Sequence, residues 1–300
     1  MLLGTLACQP DDKASPVGRP PAQSSAAPAK ATAEPPKPAA DAAQGKPSAK
    51  EMRELLAKPA MQEEIDRLVN PKGLPAYTGP TGTVRGVVHV KGDPAVVHAD
   101  VLRKIAADCG DAKSIYGKTP REGIGRTVAD VLVAVTGYDG YVPQKEAARV
   151  VRGIGCAWEA RTVGLMFGQM LRIAAGDKRP YVPDLMGQTM PAQLFAMPGA
   201  EPVNLPPRKP GRYRLVDSMR LYNVADVFVV PYPTFAVTGV DGKFEISGVP
   251  VGKAKISALL PATMAVSARD IEISAAQPVE LELTLDFDAA AYKALKVELK

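Results

Sequence analysis

Side chains able to do chemistry are few in this chain. Its 300 residues include three cysteines, Cys8, Cys109 and Cys156, and two histidines, His89 and His98. A nucleophilic mechanism needs a base within reach of the nucleophile, and a transition-metal site needs several imidazoles, thiolates or carboxylates that converge. Neither pattern is present. His89 falls in the alternating run Thr83–Val90 and reads as a solvent-facing strand residue, and His98 reads as a loop residue. Neither the spacing nor the neighbours of any cysteine suggest a nucleophile. Asp130, Asp139 and Asp241 sit in strands or turns, where turn-making is the default role. Gly123-Ile-Gly125 and Gly153-Ile-Gly155 have the look of nucleotide loops, but neither precedes a helix, so both read as turns or bulges. The expectation is a protein that is not an enzyme and carries no cofactor.

Composition narrows the partners. A hydrophobic fraction of 46% supports a sizeable core, while aromatics at 5% argue against a stacking surface for nucleic acid. The net charge of +5 is scattered rather than clustered, so no nucleic-acid partner is expected. No stretch after the N-terminus approaches the ~20 apolar residues of a membrane-crossing helix.

The chain opens Met1-Leu-Leu-Gly-Thr-Leu-Ala-Cys8, a short apolar run ending in a small residue before cysteine. It resembles the end of a bacterial lipoprotein signal, with residues 1–8 as its remnant. That resemblance implies export, acylation of Cys8 and a membrane partner reached through a lipid anchor, at the periplasm or outer membrane. The alternative is a cytosolic protein with an apolar N-terminus. Residues 9–47 are rich in Pro, Ala, Ser and Lys and lack the apolar side chains that would offset ordering entropy, so a disordered, semi-rigid tether is expected. With Cys8 assigned to lipid, Cys109 and Cys156 remain as a pair in an oxidising compartment, which suggests a disulfide. Two buried free thiols are the alternative.

Ser48-Ala-Lys-Glu51 is a capping-box pattern, and Met52, Leu55, Leu56, Ile65, Leu68 and Val69 follow at helical spacing around Pro59, predicting a helical segment over 48–72. From Thr81 the period becomes two. Strands are predicted at Thr83–Val90, Val128–Thr136, Met170–Ala174, Gly211–Val216, Val227–Val230 and Phe235–Thr238. Four more follow, at Phe244–Ser247, Lys253–Leu259, Arg269–Ile273 and Val279–Leu285. Asp139-Gly140, Asp241-Gly242 and Pro250-Val-Gly252 supply turns between them. Many short strands with no helix between them predict an all-β fold of antiparallel sandwiches. The apolar stretch Tyr181–Pro198 reads as core beneath a long loop, with the edge of a binding surface as the alternative.

Two resemblances organise these strands. Phe235-Ala-Val-Thr238-Gly-Val-Asp241-Gly242-Lys-Phe244-Glu-Ile246-Ser-Gly248-Val-Pro250-Val-Gly252 resembles the carboxypeptidase regulatory-like (transthyretin-like) domain. Gly82-Thr-Val84-Arg-Gly86-Val-Val88 and Ala129-Asp-Val-Leu-Val133-Ala-Val135 are similar to its earlier strands. About 100 residues part Val135 from Thr238, far more than a normal loop, so something is inserted. The insert resembles a cupredoxin, the plastocyanin-like copper fold. The likeness rests on Gly155-Cys156-Ala-Trp158, on Gly168-Gln169 through Ile173 and Asp177, and on Gly211 through Val229. Together the resemblances imply two joined antiparallel sandwiches. Residues 80–140 and 233–288 would form the regulatory-like domain, and residues 145–232 the inserted cupredoxin-like domain.

The insert departs from its family at every ligand. A blue-copper site takes a thiolate, two imidazoles and usually a thioether. At the matching positions this chain has Asp217 for the thiolate, Tyr181 and Arg220 for the imidazoles and Asn223 for the thioether. Arg161 stands at a further frequent histidine position. Asp217 and Arg220 are expected to pair with each other, worth only ~0–1 kcal/mol if exposed. The function expected is therefore a non-catalytic binding or structural module of the cell envelope, without metal, whose partner is an envelope protein or a glycan. The alternatives are a copper electron-transfer protein and a carbohydrate-binding accessory module.

Overall fold

The computed structural model describes residues 48, 62–190 and 192–298. Cys8, the 9–47 tether and residues 49–61 of the expected helical segment lie outside the described residues. What is described of that segment is helix α1, Gln62–Val69. Glu63 and Glu64 in its first turn and Arg67 in its last suit the helix dipole. Ile65 and Val69 lie on one face and pack against a β core.

The fold is predominantly β, as the period-two pattern predicts. One sandwich is built from β1 (Thr81–Gly92), β4 (Leu132–Thr136), β13 (Phe235–Val237), β14 (Lys243–Pro250), β15 (Gly252–Leu260), β16 (Ala265–Ile273) and β17 (Val279–Phe287). Its sheets run β14-β1-β17 and β13-β4-β15-β16. Val84, Val88, Val133, Ile246, Ile256 and Leu285 alternate inward and share its core. The other sandwich uses the chain between β4 and β13: β5 (Ala148–Ile154), β6 (Ala157–Trp158), β7 (Thr162–Met166), β8 (Met170–Ala175), β9 (Pro183–Met186), β10 (Val203–Leu205), β11 (Gly211–Asp217) and β12 (Arg220–Val230). Its sheets run β10-β8-β5-β6 and β7-β12-β11-β9, around a core that includes Trp158, Phe167, Leu185 and Leu215.

Three features differ from expectation. The sandwiches are not purely antiparallel, because β1–β17, β5–β8 and β7–β12 pair in parallel. Each joins strands separated by a further strand or more, and an alternating pattern carries no information about strand direction. Second, helices do interrupt the strands. α2 (Ala99–Lys104) and α3 (Gly110–Tyr116) lie between the small strands β2 (Val96–Val97) and β3 (Lys118–Thr119), and α4 (Ala289–Glu298) follows β17. At six and seven residues, α2 and α3 are too short to show a 3.6-residue period. Third, the strand expected at Val128–Thr136 begins only at Leu132, because Asp130 adopts a positive φ of 68°. The α2–α3 excursion packs on the second sandwich: Ile105, Ala112, Ile115 and Tyr116 form a small core with Cys156 and Ala157.

Candidate functional site

Tyr181, Asp217, Arg220 and Asn223, which the sequence resemblance sets against copper ligands, lie together at one end of the second sandwich. Alternation places two of them. Along β11 the inward residues are Tyr213, Leu215 and Asp217, and along β12 they are Asn223, Ala225 and Val227. Asp217 and Asn223 therefore point into the core, and both are fully buried. Arg220 opens β12 opposite Asp217 across the tight turn that joins β11 to β12. Tyr181, fully buried, comes from the segment before β9 and bridges to Ala196.

A buried carboxylate is tolerated only if its lone pairs are satisfied. The Asp217 carboxylate accepts hydrogen bonds from the Val182 amide (3.2 Å), the Met219 amide (3.1 Å), Arg220 Nη1 (2.9 Å) and Asn223 Nδ2 (3.3 Å). The pairing of Asp217 with Arg220 is as expected, but it is not an exposed pair: Asp217 is 0% exposed and the Arg220 side chain 17%. Arg220 also donates to the Pro180 carbonyl (3.1 Å) and lies 5.0 Å above the Tyr181 ring. Asn223 Oδ1 accepts from the Trp158 amide and the Tyr116 hydroxyl, each at 2.7 Å. Burial drives the Tyr116 phenol well above its usual range and the Tyr181 phenol up to about 12, so both stay neutral donors at physiological pH.

The disulfide closes the same end. Cys109 and Cys156 are bonded, with Cα atoms 5.4 Å apart. Cys156 sits in the two-residue turn between β5 and β6, where Gly155 and Cys156 both have positive φ, 57° and 67°. That is the backbone of a tight hairpin whose twist suits paired strands. The Cys156 amide donates to the Tyr181 hydroxyl (3.2 Å), and the Gly155 amide donates to Asp177 Oδ2 (2.8 Å). Arg179 joins Asp177 (3.0 Å) to Asp108 (2.6 Å), the residue before Cys109. Desolvation works to raise Asp177, but hydrogen bonds from the Arg179 and Gly155 amides and the Arg179 guanidinium outweigh it, and its carboxyl titrates below the usual range. Gly153 allows the Tyr181 ring to lie flat on β5, since a Cβ there would come within 2.5 Å of the ring.

This donor set does not fit copper. The Asp217 carboxylate is already engaged by four donors, one of them the Arg220 guanidinium at 2.9 Å. Cys109 and Cys156 are bonded to each other and offer no thiolate. Among the described residues, no three His, Cys, Asp or Glu side chains cluster so as to hold a metal ion.

The remaining candidates lie elsewhere. Arg161 donates to the Lys118 carbonyl (3.2 Å) and Thr119 Oγ1 (3.0 Å), and its guanidinium lies 5.8 Å from the Tyr116 ring centroid, so it fastens the end of α3 to the second sandwich. His89 stays on β1, half-buried, its Nδ1 3.1 Å from the Gly125 carbonyl. His98 is not a free loop residue. It is 7% exposed at the start of α2, with Nε2 3.0 Å from Thr119 Oγ1 and 3.2 Å from the Tyr292 hydroxyl. Asp130 is more than a turn former: it holds Arg121 through two 2.8 Å bonds in a largely buried pair. In the 181–198 stretch Leu185 is core and Met190 and Leu194 pack on it, while Met186, Phe195 and Met197 are about half exposed. Sequence reasoning missed Tyr116 and the Asp108–Arg179–Asp177 chain. Their partners are remote in sequence, and no local signal marks them.

No protein-family model matches the chain, and no curated protein matches it. Over about 30% of its length the structure is matched to solved copper proteins. A mutant of amicyanin in its Cu(I) state shares 18% identity, covering 29% of this chain and 85% of that one, with a TM-score of 0.24. A reduced mutant of amicyanin shares 17%, with the same coverage and TM-score. A copper-containing nitrite reductase from Thermus scotoductus SA-01 shares 13% over 31% of this chain and 25% of that one, with a TM-score of 0.25. What the end of the second sandwich can do chemically is set by its own side chains, described above.

Proposed function

We propose that this chain is an exported, lipid-anchored protein of the cell envelope that acts as a non-catalytic binding or structural module. On this reading residues 145–232 are a cupredoxin-like module that has lost copper chemistry, nested in a carboxypeptidase regulatory-like domain formed by residues 80–140 and 233–288. One observation carries the reading: Tyr181, Asp217, Arg220 and Asn223 form a hydrogen-bonded network in which the Asp217 carboxylate is already satisfied by protein donors. Such a network adds rigidity and offers no reactive group. The nesting is supported by strand order, since the second sandwich takes all its strands from between β4 and β13. Export is supported by the disulfide, which persists in oxidising compartments.

Thermal unfolding with and without one equivalent of copper tests the core of the proposal, together with elemental analysis of protein from its own host. The melting temperature is expected not to move, because a ligand stabilises only by binding the native state. Stoichiometric copper with an intense visible band would restore electron transfer as the function. For the anchor, metabolic labelling with a clickable fatty acid is expected to mark the native product and to fail in Cys8→Ser. A native product that takes up no label and fractionates as soluble would remove the anchor from the proposal.

A further inference from the structure

The residues of β11 and β12 that alternate outward should face solvent. Arg214, Tyr222 and Val224 are instead only partly exposed, because distant elements rise beside them, while Arg212 remains exposed. α2, α4 and the turn between β15 and β16 close a recess of about 300 Å³ on this outer face. That volume lies at the small end of ligand pockets.

Its charge is one-sided. Three guanidiniums line it, from Arg161, Arg212 and Arg214, against the single carboxylate of Asp226. Arg212 takes that carboxylate at 2.8 Å. The second buried carboxylate nearby, Asp130, belongs to Arg121. Arg161 is held by neutral acceptors and an aromatic face, so it is aimed but not neutralised. Arg214 is half-buried, and no carboxylate lies within ion-pair distance of it among the described residues. Asp226, which faces Arg214 across the β11–β12 ladder and is taken by Arg212, is thus set against three guanidiniums, a net excess of positive charge in the recess. The rest of the lining is flat or apolar. Tyr116, Tyr222 and Tyr292 contribute rings, and Leu221 and Met264 remain 76% and 44% exposed. Phosphate alone would answer the charge but leave the rings and the apolar side chains bare. A purely apolar ligand would do the reverse and bury Arg214 unpaired, at a cost.

We propose that this recess binds a small organic anion with a flat, apolar body, its carboxylate taken by Arg214 and Arg161 and its body laid against the tyrosines and Leu221. A planar guanidinium matches a carboxylate through two parallel hydrogen bonds, which a lysine cannot reproduce. The recess lies on the opposite face of β11 and β12 from Asp217, sharing only Tyr116 with its network, and requires neither the lipid anchor nor the envelope location.

The test uses the full chain and two probes of one shape, 2-naphthoate and the neutral 2-naphthamide, titrated by calorimetry against wild type, Arg214→Gln and Arg214→Lys. The naphthoate is expected to bind saturably at one site and about tenfold or more tighter than the amide. Arg214→Gln is expected to abolish that preference, leaving amide binding unchanged, and Arg214→Lys to recover only part of it. Thermal unfolding of each variant shows that it is folded before it is titrated. If a variant does not fold, the wild-type comparison of acid with amide still decides. Absence of saturable naphthoate binding at millimolar concentration, equal binding of the two probes, or a preference that survives in Arg214→Gln overturns the proposal.

Discussion

Replacing Asp217 with alanine removes the one carboxylate that organises the closed end of the second sandwich. Four donors lose their acceptor at once: two backbone amides, the Asn223 side-chain amide and the Arg220 guanidinium. Removing one partner of a buried ion pair costs ~3–5 kcal/mol, because the other charge stays buried. Each amide left dry costs ~1–3 kcal/mol more unless water enters. Arg220 offsets part of this, since it keeps the Pro180 carbonyl and the Tyr181 ring and is 17% exposed. With water reaching the freed amides, the expected loss is about 3–5 kcal/mol, the size of the ion-pair term by itself. For a folded region of this size that corresponds to a fall in melting temperature of about 6–20 °C. Urea unfolding of wild type, Asp217→Ala, Arg220→Ala and the double variant measures it. The double variant is expected to cost less than the sum of the singles by about 1–3 kcal/mol, the signature of direct coupling. If Asp217→Ala lies within about 1 kcal/mol of wild type, or the singles simply add, the network is not what holds this end together.

The disulfide spans 47 residues in sequence, and in the chain-entropy model a closed loop of that size is worth about 4 kcal/mol. Cys109→Ser/Cys156→Ser should lower the urea midpoint accordingly, and reductant should do the same to wild type but not to the variant. A variant as stable as wild type would show that the bond adds nothing to the packing beneath it. Acid should weaken the same end. Asp177 and Asp108 both titrate below their ordinary 3.8, Asp108 chiefly through the hydrogen bond from Arg179. A carboxylate depressed in the folded state stabilises above its unfolded pKa, and that contribution is lost as pH falls from about 4 through the folded value. Arg179→Ala should therefore flatten the dependence of the unfolding midpoint on pH below about 5, while leaving its shape near neutrality unchanged. An identical acid limb in the variant would assign the acid sensitivity to other carboxylates.

Period-two alternation is a local property, and it determined the strands of the first sandwich but, in the second, only β8, β11 and the end of β12. It also determined which side chains of those strands point inward: Tyr213 and Leu215 on β11, and Val227 and Val229 on β12, share one buried face because successive strand residues point to opposite sides. Asp217 and Asn223 fell outside the predicted strands, so their inward direction came only with the structure, while the pairing of Asp217 with Arg220 came from the positions that the cupredoxin resemblance gave them. Only the tertiary structure decided how deeply that pair is buried, since this depends on the amides of Val182 and Met219 and on Tyr181, which arrive from other segments. The same holds for strand direction. Nothing in the residues of β5, β7 or β17 distinguishes a parallel neighbour from an antiparallel one, because both bury the same alternate side chains. Helices α2 and α3 left no periodic signal at their length, yet they bring Cys109 and Tyr116 to the second sandwich. The outer face of β11 and β12 reads in sequence as solvent-exposed. It becomes a recess only because α2, α4 and the β15–β16 turn fold over it, and contacts between segments so far apart in the chain depend on shape and packing that no short window of sequence contains.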